Sequence, residues 1–128
     1  MQKDFNNWNE EKKRIHETEE NRFYKAREIW WCSIGVNVGF EQDGTSQEFQ
    51  RPVLVLKGFS RHVCWVIPLT TSKKKNPYHV SVGEIEGRES FAIISQLRLI
   101  DTKRFTDRLA IVEEDKFEDI RKAVRFLL

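Results

Sequence analysis

Six short runs rich in β-branched and aromatic residues, separated by turn-forming residues, constrain the fold of this chain more than any other feature. Runs of this length and composition are typical of β-strands. The expected strands cover residues 28–34, 52–56, 62–69, 78–85, 90–99 and 109–112. Several short strands joined by tight turns predict a small twisted barrel, and hence a mainly β fold with helices at its ends.

Individual residues predict where these strands begin, end and turn. Pro68 should mark an edge or an end of its strand, because proline cannot donate to the hydrogen-bond ladder. Gly87 is expected in a tight turn. We treat residues 90–99 as one strand, on which Gln96 and Arg98 share a face because strand side chains repeat every two residues. Residues 35–50 are polar and hold three glycines, which predicts a long loop.

Helical patterns flank the strands on both sides. In residues 4–22, Phe5, Trp8 and Ile15 fall on one helical face, which predicts an amphipathic helix that lies on the main domain, because isolated helices of this length are marginal. A second pattern near the C-terminus has helical spacing and involves Phe117, Ile120, Ala123, Val124 and Leu127. We therefore divide the chain into an N-terminal helical extension, residues 1–26, and a barrel domain, residues 27–128.

Length and composition indicate a single soluble domain. The chain has 128 residues, of which 39% are hydrophobic and 33% are charged. No apolar run approaches the roughly 18 residues of a membrane helix, and the N-terminus lacks the apolar core of a signal peptide. We therefore expect a cytoplasmic protein without membrane contact. Cys32 and Cys64 lie in apolar stretches and are expected to be buried thiols. No cysteine or histidine spacing suggests zinc, so we expect no metal and no cofactor.

The distribution of charge is more informative than the net charge of +2. Residues 51–80 carry six bases and no acid. Such a stretch is what a polyanion-binding face needs, although solvated basic loops would give the same pattern.

Three segments, taken together and in this order, resemble the MazF/PemK toxins. The segments are residues 27–44, with Glu28-Ile29-Trp30-Trp31 and Glu41-Gln42-Asp43-Gly44; residues 51–71, with Arg51-Pro52-Val53-Leu54 and Pro68-Leu69-Thr70-Thr71; and residues 95–104, with Ser95-Gln96-Leu97-Arg98. The resemblance covers about residues 27–125. It implies an SH3-like barrel of the CcdB/PemK type, a homodimer, and metal-independent cleavage of single-stranded RNA in the dimer groove. It also implies a cognate antitoxin partner, with DNA contacted only through the antitoxin complex.

The resemblance assigns catalysis to Arg51 and Thr70. In the family the 2′-hydroxyl of the RNA attacks the adjacent phosphate, and negative charge develops on the non-bridging oxygens. A guanidinium can hold two of these oxygens, and a threonine hydroxyl can donate to the same phosphate. Glu41 is a candidate for the general base.

RNA binding is expected to involve residues on both sides of this pair. The expected set is Gln42, Thr71, Lys73, Lys74, Lys75, Gln96 and Arg98. The three lysines could bracket backbone phosphates, and Gln96 and Arg98 could read bases or brace the long loop. Trp30, Trp31 and Trp65 are expected in the core or an interface. Asp101 is expected to cap a turn.

The chain departs from the family pattern at two positions. Some members carry an arginine and an aspartate where this chain has Ile93 and Ser95. Two other functions therefore stay open, namely a nucleic-acid-binding barrel without catalysis and a CcdB-like inhibitor of DNA gyrase. Arg51, Thr70 and the neighbouring lysines favour the nuclease.

Overall fold

The computed structural model of the protein describes residues 23–33 and 50–128. These residues form seven strands and one α-helix. The strands are β1 (Glu28–Ser33), β2 (Gln50–Gly58), β3 (Val63–Thr70), β4 (His79–Ile85), β5 (Arg88–Ile93), β6 (Arg98–Asp101) and β7 (Phe105–Ile111), and the helix is α1 (Glu114–Leu127). Two 3₁₀ turns, Ile94–Gln96 and Thr102–Arg104, flank β6. The expected mainly β fold with a C-terminal helix is therefore confirmed. The expected N-terminal helix and the long loop up to residue 49 lie outside the described residues.

All strand pairs are antiparallel. The strand order is β4-β5-β3-β2-β1-β7, and β6 pairs with β3 alongside β5. The result is a β half-barrel in which β2 and β3 are central. Because these two strands are covered on both faces, their buried residues form near-continuous apolar runs rather than an alternating pattern.

Two buried clusters lie on opposite sides of the central strands. One joins Leu54, Ile67 and Leu69 to the apolar face of α1, including Ile120. The other contains Cys32, Val53, Val55, Cys64 and Phe105 together with other buried residues of β1, β3 and β6. Alternate residues of β2 and β3 thus point into different cores, as the twofold repeat of a strand requires.

The expected strand over residues 90–99 is wrong, because the chain bends in its middle. β5 ends at Ile93, a 3₁₀ turn follows, and β6 begins at Arg98. β5 pairs with the end of β3, from Leu69 to Thr70, whereas β6 pairs with its first half. The turn is needed to move the chain from one half of β3 to the other.

Pro68 does not mark an edge, because β3 is an interior strand. It is buried opposite Val53 of β2, two residues before β3 ends. On the other side of β3, β6 pairs only as far as Val66 and β5 begins pairing at Leu69. Pro68 therefore lies in the gap between two partner strands, where a missing N–H breaks no ladder.

Three local expectations are confirmed, namely the tight turn, the cap at Asp101 and the buried thiols. Glu86 and Gly87 form a two-residue turn and both have positive φ, 52° and 82°. The Asp101 carboxylate accepts a hydrogen bond from the Lys103 amide at 2.8 Å and so caps the second 3₁₀ turn. Cys32 and Cys64 are free and buried. No helix among the described residues is long and apolar enough to cross a membrane.

Candidate functional site

Arg51 and Thr70 lie side by side on adjacent strands. Val53 of β2 is opposite Pro68 of β3, and Arg51 and Thr70 each lie two residues beyond this pair, at the same end of the two antiparallel strands. A guanidinium nitrogen of Arg51, Nη2, donates to the carbonyl oxygen of Leu69 at 2.5 Å. The structure therefore joins residues that are 19 positions apart in the sequence, at one end of the two central strands.

The Arg51 side chain is a buried cation. It is only 6% exposed, and burial lowers the pKa of its guanidinium. Among residues 23–33 and 50–128, no carboxylate forms an ion pair with it. Because burying an uncompensated charge is unfavourable, such a group gains free energy when an anion binds beside it.

The Thr70 hydroxyl can donate a hydrogen bond to an anion that the Arg51 cation attracts. Thr70 is half-buried at the end of β3, and its Oγ1 accepts a hydrogen bond from the Ser72 amide at 3.1 Å. A hydroxyl has one hydrogen to donate in addition to its acceptor lone pairs. The bond from Ser72 therefore orients Oγ1 and leaves its proton for a ligand.

Two more arginines approach the same end of the sheet. Arg98 of β6 is opposite Val66, which belongs to the cluster around Cys32. Nη1 of Arg104 donates to the carbonyl oxygen of Ser33, the last residue of β1, at 3.1 Å. Burial raises the pKa of the Cys32 thiol to about 11, while the charges of Arg104 and Arg98 act to lower it.

Cys32 is in turn opposite Arg51 in the β1–β2 register. Arg51 and Arg104, from separate parts of the sequence, thus both lie at the last residues of β1. The sequence patterns did not single out Arg104. They indicate the capped turn after Asp101, but 71 residues separate Arg104 from its acceptor on Ser33.

Comparison with known proteins identifies the family. The sequence model of the PemK-like, MazF-like toxins of type II toxin–antitoxin systems matches residues 25–128. The chain belongs to this family. Endoribonuclease EndoA of Bacillus subtilis (strain 168) is 26% identical over 113 residues, which cover 81% of this chain and 93% of that protein.

Solved structures with a MazF fold are similar in shape. MazF of Deinococcus radiodurans superposes with a TM-score of 0.65 at 21% identity, covering 81% of this chain and 94% of that one. An endoribonuclease in complex with its cognate antitoxin from Mycobacterial species gives a TM-score of 0.63 at 15% identity, covering 81% and 93%. At these identities the likeness establishes the fold, a mainly β half-barrel with one C-terminal helix.

The other expected site residues that the structure describes lie in the segment after Thr70 and in or just before β6. Thr71, Lys73, Lys74 and Lys75 are exposed in the irregular segment that follows Thr70. The prediction that Gln96 and Arg98 alternate on one strand is wrong, because Gln96 lies in the 3₁₀ turn before β6. Both side chains are half-buried.

The two positions at which the chain departs from the family pattern carry no acid. Ile93 is buried in the core and Ser95 is exposed on the 3₁₀ turn. Glu41 and Gln42 lie outside the described residues. Within residues 23–33 and 50–128, no cluster of three or more His, Cys, Asp or Glu side chains could hold a metal ion.

The three tryptophans expected in the core or an interface differ in how far they are exposed to solvent. Trp30 is buried, and its ring stacks on Phe105 with centroids 5.1 Å apart. Trp31 is half-buried on β1, whereas Trp65 on β3 is 37% exposed. Trp30 is therefore confirmed as a core residue, and the surface around Trp65 requires a separate explanation.

Proposed function

We propose that this toxin is an endoribonuclease that cleaves single-stranded RNA without a metal ion. The observation that carries the proposal is the buried Arg51 guanidinium, which donates to the carbonyl oxygen of Leu69, the residue before Thr70, and has no carboxylate partner in the described part of the chain. The family and the similarity to EndoA support the same activity.

The proposed reaction is an internal transfer of the phosphodiester. The 2′-oxygen attacks the adjacent phosphorus, the bond from phosphorus to the 5′-oxygen breaks, and the products are a 2′,3′-cyclic phosphate and a 5′-hydroxyl. One proton leaves the 2′-hydroxyl and one reaches the departing 5′-oxygen. Arg51 stabilises the charge that develops on the non-bridging oxygens, and Thr70 donates to one of them. We assign removal of the proton from the 2′-hydroxyl to Glu41, and water supplies the proton that the departing 5′-oxygen receives.

RNA binding is proposed to extend from this pair in two directions. Thr71 and Lys73–Lys75 would follow the backbone on one side. On the other side, Arg98 and Arg104 would hold a neighbouring phosphate, while Gln42 and Gln96 would contact bases. The hydrogen bond from Arg104 to the end of β1, and the charges of Arg98 and Arg104, support this arrangement.

We further propose an SH3-like barrel over residues 27–128, a homodimer whose groove holds the RNA, and an antitoxin that occupies the same groove. Solved neighbours include MazE–MazF of Deinococcus radiodurans, with a TM-score of 0.63, which supports an antitoxin partner. DNA contact would then occur only through the antitoxin complex.

Incubation with a long single-stranded RNA in the presence of EDTA tests the activity. We expect discrete fragments that end in 2′,3′-cyclic phosphates. Arg51→Ala should lower the cleavage rate by about 10²–10³-fold, since it removes the main source of charge stabilisation. Thr70→Val, which keeps the shape of the side chain, should lower it by a smaller factor. Lys122→Ala, on the exposed side of α1, is the control and should cleave at the wild-type rate.

Other outcomes of the same assay identify the alternatives. RNA that is retarded in a gel but stays intact would indicate a non-catalytic binding barrel. Inhibition of DNA gyrase without RNA cleavage would indicate a CcdB-like function. Cleavage that survives Arg51→Ala unchanged would contradict the assignment of Arg51.

A further inference from the structure

The side of the sheet to which Thr70 projects continues across two further strands. The strand registers place Phe91 of β5 opposite Thr70, and Ser81 of β4 opposite Phe91. Opposite residues project to the same side of a sheet. The adjacent residues Leu69 and Ala92 are buried in the core beneath α1. Because side chains alternate along a strand, the row of Thr70, Phe91 and Ser81 faces away from the helix.

Phe91 is a large apolar side chain that the fold leaves partly exposed. Its neighbours on β5, Ser90 and Ala92, are both buried, whereas Phe91 is half-buried. Within residues 23–33 and 50–128, Phe91 is not among the half-buried side chains that pack against the two buried apolar clusters. An uncovered ring of this kind offers a surface on which a planar group such as an unpaired base can stack.

A basic segment begins and ends on the two sides of Phe91. Residues 71–78 connect β3 to β4, and these strands pair with opposite sides of β5. The end of the segment is held at β5, because the carbonyl oxygen of Tyr78 accepts a hydrogen bond from the Ile94 amide at 2.9 Å. Lys73–Lys75 are exposed on this segment. Phe91 therefore lies on the strand between the two ends of a basic connection, and aromatic rings combined with cations are how proteins hold single-stranded nucleic acids.

We propose that Phe91 forms a nucleobase subsite, on which one of the two bases that flank the scissile phosphate stacks. The proposal rests on the RNA cleavage proposed above, because Arg51 and Thr70 define where that phosphate binds. Opposite residues of an antiparallel pair have Cα atoms about 4.5–5.5 Å apart, so the ring lies within reach of a nucleotide joined to that phosphate.

The next residue of the row complements this stacking. The Ser81 side chain is small, and its Oγ accepts a hydrogen bond from the Gly83 amide at 3.1 Å. The hydroxyl keeps its own hydrogen, which it donates to the edge of the stacked base. A base held in this way restricts the position of its ribose and so helps to align the 2′-oxygen with the phosphorus.

A short RNA that spans one cleavage position mapped in the EDTA assay tests the subsite. The ribose at that position carries a 2′-methoxy group, so that the RNA binds without being cut, and the two flanking bases are removed in turn to leave abasic nucleotides. With the wild-type chain, removal of the stacked base should weaken binding about tenfold or more. With Phe91→Ala, the intact RNA should bind about tenfold more weakly, and removal of the same base should have little further effect.

Conservative variants separate stacking from a structural role of Phe91. Phe91→Tyr keeps the ring and should bind the intact RNA as the wild type does. Phe91→Leu keeps an apolar side chain without a π-face and should bind about as weakly as Phe91→Ala. Urea denaturation shows which variants are folded, and Phe91→Leu replaces Phe91→Ala in the comparison if the alanine variant is not.

Phe59→Ala is the matched control. Phe59 is 49% exposed in the turn between β2 and β3, and its ring meets that of Trp65 edge to face with centroids 5.0 Å apart. Trp65 shares its side of β3 with Ile67, which is buried beneath α1, so this aromatic pair lies on the other side of the sheet from Thr70. Phe59→Ala should therefore bind the intact RNA with wild-type affinity.

The results distinguish failure of the subsite from failure of the proposed function. The subsite alone is overturned if the wild type cuts the unmodified RNA but the effects of the abasic nucleotide and of the Phe91 substitution are independent. Wild-type affinity of Phe91→Leu has the same consequence. A wild-type chain that leaves the unmodified RNA intact overturns both proposals.

Discussion

Single residues illustrate how burial determines the role of a charge in this protein. Arg51 is buried without an acidic partner in the described part of the chain, which is costly for the fold and suits a site that must attract an anion. Glu28 is equally buried but fully partnered. Its carboxylate accepts hydrogen bonds from the Lys25 amide at 2.9 Å and the Trp30 indole at 3.0 Å, and it pairs with Arg108 at 3.1 Å. We therefore propose a functional role for Arg51, whereas Glu28 stabilises the fold.

Removal of the Glu28 carboxylate should therefore be strongly destabilising. We expect Glu28→Ala to lower the free energy of unfolding by about 2–3 kcal/mol, because the Lys25 amide and the Trp30 indole lose their acceptor. Urea denaturation measures the change. Glu114→Ala is the control. Its carboxylate is exposed and pairs with Arg27 at 3.4 Å, so its loss should cost below about 1 kcal/mol. Equal effects of the two substitutions would contradict this account.

The buried thiols predict how stability depends on alkaline pH. Burial raises the pKa of Cys32 from an ordinary value of 9.0 to about 11, and that of Cys64 to about 12. The folded chain therefore keeps protons that the unfolded chain releases above pH 9. The contribution of the two protonated thiols to stability is complete below pH 9 and is lost as pH rises toward their pKa values in the folded chain. Urea denaturation from pH 8 to pH 11 should show a steeper decline in the wild type than in Cys32→Ala. Parallel declines would show that Cys32 does not titrate in this way.

At the scale of elements, the hairpin of β4 and β5 supports the end of β3 on which Thr70 lies. Phe91 of β5 is opposite Thr70, and the hairpin closes through Glu86 and Gly87. Both turn residues have positive φ, the geometry of a tight two-residue hairpin connection, in which glycine avoids a steric penalty at its Cβ. The position of a candidate catalytic hydroxyl thus depends on a turn about 16 residues away in sequence.

Gly87→Ala should weaken this hairpin through the backbone alone. No atom lies within 4 Å of a Cβ added at Gly87, whereas its φ of +82° is unfavourable for any side chain. We expect a loss of about 1–2 kcal/mol in the free energy of unfolding, measured by urea denaturation. Gly87→Asn should cost less, because asparagine adopts this conformation more readily. A larger loss with asparagine than with alanine would exclude a backbone origin.

The net charge of the whole molecule is only +2, but its basic residues are concentrated in one part of the chain. Residues 51–80 contain six basic residues and no acidic residue. Lys73, Lys74 and Lys75 extend this charge outward from Thr70, while Arg51 lies at the inner end. The exposed lysines should therefore govern affinity for RNA, and the buried arginine should govern the chemical step.

Binding measurements at several salt concentrations separate these roles. Replacing Lys73, Lys74 and Lys75 together by glutamine should reduce the slope of log affinity against log salt by about 2, given roughly 0.7 counterions per phosphate contact in single strands. The cleavage rate at saturating RNA should change little. The control replaces Lys116 and Lys122 of α1 by glutamine and should leave the slope unchanged. An unaltered slope in the lysine triple variant would show that these side chains do not contact phosphates.

Local sequence patterns were sufficient to predict most of the main elements. The first four strands and α1 were predictable because their apolar residues recur at the spacing of a strand or a helix, which is a property of neighbouring residues. The cap at Asp101, the turn at Gly87 and the buried cysteines were predictable for the same reason. The motifs around Arg51 and Thr70 also pointed to the family from the amino-acid sequence alone.

Tertiary contacts were needed to place the bend between β5 and β6, because that bend serves β3, which is more than 20 residues earlier in sequence. They also position Arg104 at the end of β1 and leave Trp65 exposed beyond the end of α1. Composition and periodicity report which side chains prefer to be buried. They do not report which distant strand will lie opposite, and contacts between distant strands bring Arg104 to the end of β1 and place Trp65 opposite Leu99.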